Sequence, residues 1–219
     1  MSSATVGAAS ADCVCVIDDD AEVRGSIGSL LRSSGYDVRL YDGPAAFLDA
    51  DRPKAAACLV LDIRLSGESG LDFQERLAGH GVDLPVVLIT GHGDIPMTVR
   101  GMRAGAIDFL PKPFDDEQLL EAVATALDVD RARCAKSADA AGLKALYARL
   151  TPRERDVMAL VVTGLMNKQV AAKLELSEIT VKIHRGNVMR KMEAQSLADL
   201  VRMAEQLGVR DETIHRYNI

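Results

Sequence analysis

The stretch ACLVLDI, residues 57–63, decides the fold. Apart from Asp62 it is apolar throughout, with no polar alternation, as expected of a strand covered on both faces. Strands of that kind belong to parallel sheets, whose crossover connections lay helices on either side. LPVVLIT (84–90) is a second such run, and CVCVI (13–17), YDVRLY (36–41) and AIDFL (106–110) read as shorter strands. Helical patterns separate them: Glu22 to Ser33, stopping at Gly35; Pro44 to Ala50; Leu71 to Leu77; Met97 to Ala104, before Gly105; and Asp115 to Leu127, with Asp115 as its N-cap. Five strands alternating with five helices predict an α/β domain built on a five-stranded parallel sheet.

In such sheets ligands bind outside the carboxyl ends of the strands. Asp18, Asp19 and Asp20 end the first strand, Asp62 lies near the end of the third, Thr90 ends the fourth and Lys112 follows the fifth. Three adjacent carboxylates alone read as a solvated acidic turn, since crowding raises the cost of ionising each. Four segments converging on one edge favour a site. Asp18, Asp19 and Asp62 are hard oxygen ligands suited to Mg2+ (or Mn2+). A carboxylate beside such a cation can attack phosphorus and form an aspartyl phosphate. Lys112 supplies a compact positive charge, Thr90 a hydroxyl donor and Gly91 an amide.

The 219 residues exceed the usual size of one domain, and the charge is divided between two halves. Residues 1–128 carry 21 Asp/Glu against 10 Lys/Arg, a net of −11, and residues 129–219 carry 11 against 16, a net of +5. The basic half suits nucleic acid. Residues 129–146 read as a partly helical linker, and from Thr151 the pattern is helical. Thr151 caps a helix with Pro152 at its first position and Glu154 as capping-box partner, and it runs to Thr163 before Gly164. Further helices span Asn167 to Leu174, Glu178 to about Met192 after Ser177, and Ser196 to Leu207 before Gly208. No apolar run is long enough to cross a bilayer, and residues 1–11 read as a disordered leader lacking the features of a signal peptide. Cys13, Cys15, Cys58 and Cys134 show no metal-binding spacing and read as reduced thiols of a cytosolic protein, with Cys13 and Cys15 expected on opposite faces of their strand.

Residues 12–128 resemble the receiver domain of bacterial two-component response regulators, a flavodoxin-like (βα)5 fold. The resemblance rests on Asp18-Asp19, the aspartate of LVLDIRLSGESG (59–70), the threonine of VVLITGHGD (86–94) and DFLPKPF (108–114). It implies Asp62 as phosphoryl acceptor, with Asp18, Asp19, Asp62 and the Arg64 backbone carbonyl as metal ligands. Thr90, Gly91 and Lys112 become phosphoryl contacts, Phe109 takes the aromatic switch position, and Lys112-Pro113 is a cis peptide. A dimer face would include Met97, Arg100, Arg103, Asp108 and Phe109. Two departures stand out: Ser66 occupies the place of a usual proline, and Phe109 replaces the commoner tyrosine.

Residues 147–211 resemble the LuxR-type helix-turn-helix domain of the NarL/FixJ family, with the motif itself at 167–186 and a C-terminal tail at 212–219. Val170, Ala171, Leu174, Ile179 and Val188 are expected to hold its two helices together. The second helix of such a motif lies in the major groove. Its exposed face would offer Glu178, Thr180, Lys182, Ile183, Arg185 and Gly186 to DNA, with Asn167, Lys168 and Arg190 on phosphates. His184 reads as a packing residue or a neighbour of phosphate, not as a metal ligand. The helix from Ser196 to Leu207 is the expected dimer surface, so operators would be paired half-sites.

Together these imply a cytoplasmic transcription regulator, nearest the FixJ-like branch by the stretch GHGDIPMTVRGMRAGAIDFLPKPF (91–114). Its expected partners are a sensor histidine kinase, double-stranded DNA, a second copy of the chain after phosphorylation, and RNA polymerase. Two alternatives remain open: a regulator working without phosphorylation, and a Mg-dependent phosphohydrolase. Phosphohydrolases of the haloacid dehalogenase type carry a second aspartate where this chain has Arg64.

Overall fold

The computed structural model describes residues 12–53, 55–91 and 95–209. The expected leader (1–11) and tail (212–219) lie outside them. The chain divides into two compact units, Met1–Cys134 and Ala135–Ile219.

The first unit follows the alternation read from the sequence. Its elements are β1 (Cys13–Ile17), α1 (Ala21–Ser33), β2 (Asp37–Tyr41), α2 (Pro44–Asp49), β3 (Ala57–Asp62) and α3 (Gly70–Arg76), which continues as a 3-10 turn over Leu77–His80. Then come β4 (Val86–Thr90), α4 (Ile95–Arg103), β5 (Asp108–Pro111) and α5 (Asp116–Ala148), the last crossing into the second unit. The strands form one parallel sheet in the order β2-β1-β3-β4-β5. Every residue of β1, β3 and β4 is buried, which is why these three are the most apolar segments of the chain.

Two apolar layers cover the sheet. On one face Ile17, Leu59, Leu61 and Leu88 meet Phe47 of α2 and Leu71 and Phe73 of α3. On the other, Val14, Val16, Val60, Val87 and Ile89 meet Ile27 and Leu31 of α1 and Leu119 and Val123 of α5. Cys13 and Cys15 both belong to the first layer, contrary to expectation. Residues two apart along a strand share a face, because the side-chain period is two. All three strand cysteines are buried, and burial pushes the Cys58 thiol up to about 12.

Helix α5 also corrects the sequence reading, which broke it at Leu127. It continues without interruption for 33 residues. The segment after Leu127 is rich in Ala, Arg and Lys and contains no proline, so nothing there stops a helix, and Gly142 costs only about 1 kcal/mol. Within the first unit Asp130 is buried and accepts the Ala57 N–H at 2.8 Å, with Arg133 alongside at 2.7 Å. The helix is thereby pinned to the start of β3. Helix α4 begins two residues earlier than expected, with Pro96 in its first turn, where a missing N–H costs nothing.

The second unit contains α6 (Pro152–Val161), α7 (Asn167–Leu174), α8 (Glu178–Lys191) and α9 (Leu197–Leu207). Leu143 and Leu150 pack with Met158, Val188, Met192 and Leu200 in one cluster, and Val157, Val161, Val170 and Val181 form another. Two caps are those read from the sequence, the Thr151–Glu154 capping box and Ser177 accepting from Thr180 N–H; Ser196, read as the start of its helix, is instead the N-cap of α9 and accepts from Asp199 N–H.

Candidate functional site

The three consecutive aspartates take three different positions. Asp20 is the N-cap of α1 and accepts the N–H groups of Glu22 and Val23 at 2.9 and 3.2 Å. Asp18 is fully buried: its Oδ1 accepts the Asp20 N–H at 2.9 Å, and its carbonyl accepts from Arg24 Nη1 at 2.6 Å. Asp19 is exposed, and its Oδ2 accepts both the Ser66 N–H at 3.0 Å and the Ser66 hydroxyl at 2.5 Å.

Asp62, the last residue of β3, is 6 % exposed and accepts the Arg64 N–H at 2.9 Å. Lys112 reaches in from beyond β5, and its Nζ donates to Asp62 Oδ2 at 2.6 Å and to Asp18 Oδ2 at 2.8 Å. The lysine is set by the backbone: Thr90 pairs with Pro111, Lys112 N–H donates to the Thr90 carbonyl at 2.6 Å, and Lys112-Pro113 is cis. Thr90 is fully buried at the end of β4, and Gly91 beside it is exposed. Phe109 is half-buried and packs on the core layer that holds Leu88.

The electrostatics follow from burial. Desolvation raises the Asp18 pKa above the usual carboxylate range, against the opposing pull of Lys112. For Lys112, burial acts downward, but the hydrogen bonds to Asp18 and Asp62 outweigh it and leave the ammonium more basic than usual. The hydroxyl of Ser66 is the main reason Asp19 is more acidic than usual.

The carboxylates of Asp18, Asp19 and Asp62 with the Arg64 carbonyl are an all-oxygen donor set of the type Mg2+ prefers. Asp18 and Asp62 already share one cation, the Lys112 ammonium. The donor chemistry therefore fits a small hard dication. Among the described residues no three acidic, His or Cys side chains are gathered about one point, and Asp19 is engaged by Ser66.

Sequence reasoning missed Arg24 and Gly70 around this pocket. A Cβ on Gly70 would overlap the Asp62 carbonyl oxygen and lie 2.9 Å from Ile63 Cα. Only a glycine lets α3 start this close to the end of β3. Of the expected dimer face, Met97 packs inward on the core while Arg103 and Asp108 are exposed. Arg100 is engaged by Glu75 at 2.8 Å and Asp72 at 2.5 Å on α3.

In the second unit, α8 exposes Glu178, Ile179, Lys182, Ile183, Gly186 and Arg190. Ile179 is 74 % exposed and does not join the α7–α8 packing, contrary to expectation. It sits about 200° around the helix from buried Val181, so the two cannot share a face. Val181 and Val188 meet the core from α8, and Val170 and Ala171 from α7. Arg185 Nη1 donates to Asn167 Oδ1 at 3.2 Å, Lys168 is exposed, and Thr180 is half-buried with its hydroxyl 2.7 Å from Ser177 Oγ. His184 is half-buried, and its Nδ1 has no hydrogen-bond partner among the described residues. Glu154 was expected only as a capping partner. It is 3 % exposed and also accepts Lys191 Nζ at 2.6 Å, which ties the start of α6 to the end of α8.

An acid pocket on the carboxyl edge of a parallel sheet, carried with a capped helix-turn-helix, defines a signal-receiving DNA-binding protein. Comparison with known proteins gives the same result. The response regulator receiver domain matches residues 14–124, and the luxR family of bacterial regulatory proteins matches residues 148–204. Nodulation protein W of Bradyrhizobium diazoefficiens is 54% identical over 196 residues, covering 90% of this chain and 86% of its own. Transcriptional regulatory protein FixJ of the same organism is 40% identical over 196 residues, covering 90% and 96%. The solved structure of response regulator StyR matches with a TM-score of 0.81 at 46% identity, covering 90% of this chain and 99% of that one. The chain belongs to the response regulators of two-component systems, in the FixJ-like group that joins a receiver to a LuxR-type DNA-binding domain and regulates transcription.

Proposed function

We propose that Asp62 is the phosphoryl acceptor of this regulator, and that its phosphorylation by a sensor histidine kinase promotes dimerisation and operator binding. The observation that carries this reading is the pairing of buried Asp62 with the Lys112 ammonium, 2.6 Å apart at the carboxyl edge of the sheet. An Asp62 oxygen attacks the phosphorus of a phosphohistidine. The O–P bond forms as the P–N bond breaks, and that electron pair stays on the leaving imidazole. Lys112 keeps a positive charge beside the acceptor oxygen throughout.

Asp18, Asp19, Asp62 and the Arg64 carbonyl would hold Mg2+ or Mn2+, which would supply charge compensation for the phosphoryl oxygens. The Thr90 hydroxyl and Gly91 amide donate to that group, and Phe109 turns inward as Thr90 moves. The face bearing Met97, Arg100, Arg103, Asp108 and Phe109 then pairs with its copy, shifting an existing equilibrium.

On DNA, Lys182, Ile183, Arg185 and Gly186 face base edges with Thr180 nearby. Asn167, Lys168 and Arg190 meet phosphates, and α9 pairs across a two-half-site operator. RNA polymerase is a further partner. The protein works in the cytoplasm as an acceptor and regulator, not as an enzyme that turns over substrate.

The hold of Ser66 on Asp19 favours a second reading, in which the regulator binds DNA without phosphorylation. Incubation with acetyl phosphate and magnesium separates the two. Hydroxylamine-labile label that requires Asp62 and brings a dimer supports the first reading. No label, with equal operator affinity for wild type and Asp62→Asn, supports the second.

A further inference from the structure

We propose that Ser66 is a latch on Asp19, competing with the divalent cation for that carboxylate and so lowering the affinity of the receiver for metal. This rests on the reading of Asp18, Asp19 and Asp62 as metal ligands.

Ser66 spends both of its hydrogen-bond donors on one oxygen. Its N–H lies 3.0 Å and its Oγ 2.5 Å from Asp19 Oδ2. Bonds to an ionised acceptor are the strong ones. They also place two partial positive charges against a carboxylate oxygen that a cation would use. Lys112 forms its ion pairs with Asp18 and Asp62, while Asp19 is held by Ser66. Asp19 is also on the surface, where rearrangement costs little. A cation taking Asp19 through Oδ2 competes with Ser66 for that oxygen, and the affinity measured is what remains after that exchange.

The two donors are separable. Ser66→Ala removes the hydroxyl and leaves the N–H, Ser66→Thr keeps both, and Ser66→Pro removes both. Nothing buried depends on the hydroxyl, so the alanine and threonine variants keep the fold.

Direct Mn2+ binding to the full-length protein, followed by the EPR signal of free Mn2+ and displaced by Mg2+, tests the latch with no phosphoryl donor present. Ser66→Ala should bind roughly three- to tenfold tighter than wild type, the range for one charge-assisted hydrogen bond at a solvent-exposed site. Ser66→Thr should stay at wild-type affinity. Equal or weaker binding by Ser66→Ala, while wild type binds and Asp62→Asn does not, overturns the latch and leaves the metal site standing. Wild type that binds no Mn2+ removes the metal reading itself, and the latch with it.

Discussion

Lys112 Nζ lies 2.6 Å from Asp62 Oδ2, and the same ammonium lies 2.8 Å from the fully buried Asp18. One cation thus serves two carboxylates that have left water. Removing it strands both, since breaking a buried pair from one side leaves uncompensated charge. Lys112→Ala should cost about 2 kcal/mol at pH 7, less than a fully buried pair because the lysine head is partly in water. Urea unfolding of the receiver transition gives the value, and an unchanged midpoint would refute the account of the pocket.

Asp18 supplies a pH dependence of definite sign. Its folded-state pKa lies above the ordinary value because burial penalises the anion. Folding therefore favours its protonated form, and stability from this group falls as pH rises from the ordinary range, about 3.9, through the raised folded-state value. Asp18→Asn keeps the acceptor for the Asp20 N–H and removes the charge. At pH 7 it should be more stable than wild type, and the advantage should vanish as pH falls to the ordinary carboxylate value, about 3.9. An advantage that grows on acidification would reverse the assignment.

Gly70 is where packing against the acceptor strand is tightest. Its α-hydrogen faces the Asp62 carbonyl with no room for a methyl group. Gly70→Ala should destabilise the receiver by about 2–3 kcal/mol through forced backbone displacement. Gly79→Ala, with open space around it, should stay within about 0.5 kcal/mol of wild type. Thermal unfolding of the pair checks both.

Glu154 holds two helices of the DNA-binding unit through Thr151 and Lys191. Burial pulls its pKa up, but those hydrogen bonds outweigh burial and hold it below the usual carboxylate range. Its contribution is present above the unfolded-state value, about 4.3, and is lost as pH falls through the depressed folded-state value. Glu154→Ala should cost about 2 kcal/mol at pH 7. The loss should appear in the unfolding of the second unit, with the receiver transition unmoved.

Ile183 is 59 % exposed on α8, beside Lys182. Ile183→Ala should change stability by less than about 0.5 kcal/mol. It should weaken operator binding much more than binding to random DNA, whereas Lys168→Ala should weaken both and lower the salt slope by about one. Fluorescence anisotropy over a salt series distinguishes them, and parallel losses for the two variants would remove Ile183 from the reading surface.

Much of this protein was written in local patterns. The uninterrupted apolar runs at 57–63 and 84–90 mark strands covered on both faces, and the Thr151-Pro152 and Ser177 signals mark helix starts, because burial and capping act over a few residues. The carboxyl-edge rule brings Asp18, Asp62, Thr90 and Lys112 together from sequence alone. The readings that failed turned on period and context. Cys13 and Cys15 share one face because they lie two apart, Ile179 lies on the outer side of α8 and not in the core, and α5 runs on past Leu127, where its composition gives no stop.

The sequence by itself determined the alternation of strands and helices, the caps at Thr151 and Ser177, and which residue types arrive at the sheet edge. Only the tertiary structure decided what each of three neighbouring aspartates does. Asp20 caps its own helix, Asp19 meets Ser66 from the loop after β3, and Asp18 turns inward to a lysine 94 positions on. Capping is a short-range interaction and leaves a local signature. Charge pairing depends on which distant segments the parallel crossovers bring to the same edge, so adjacent and identical side chains acquire different partners, burial and acidity.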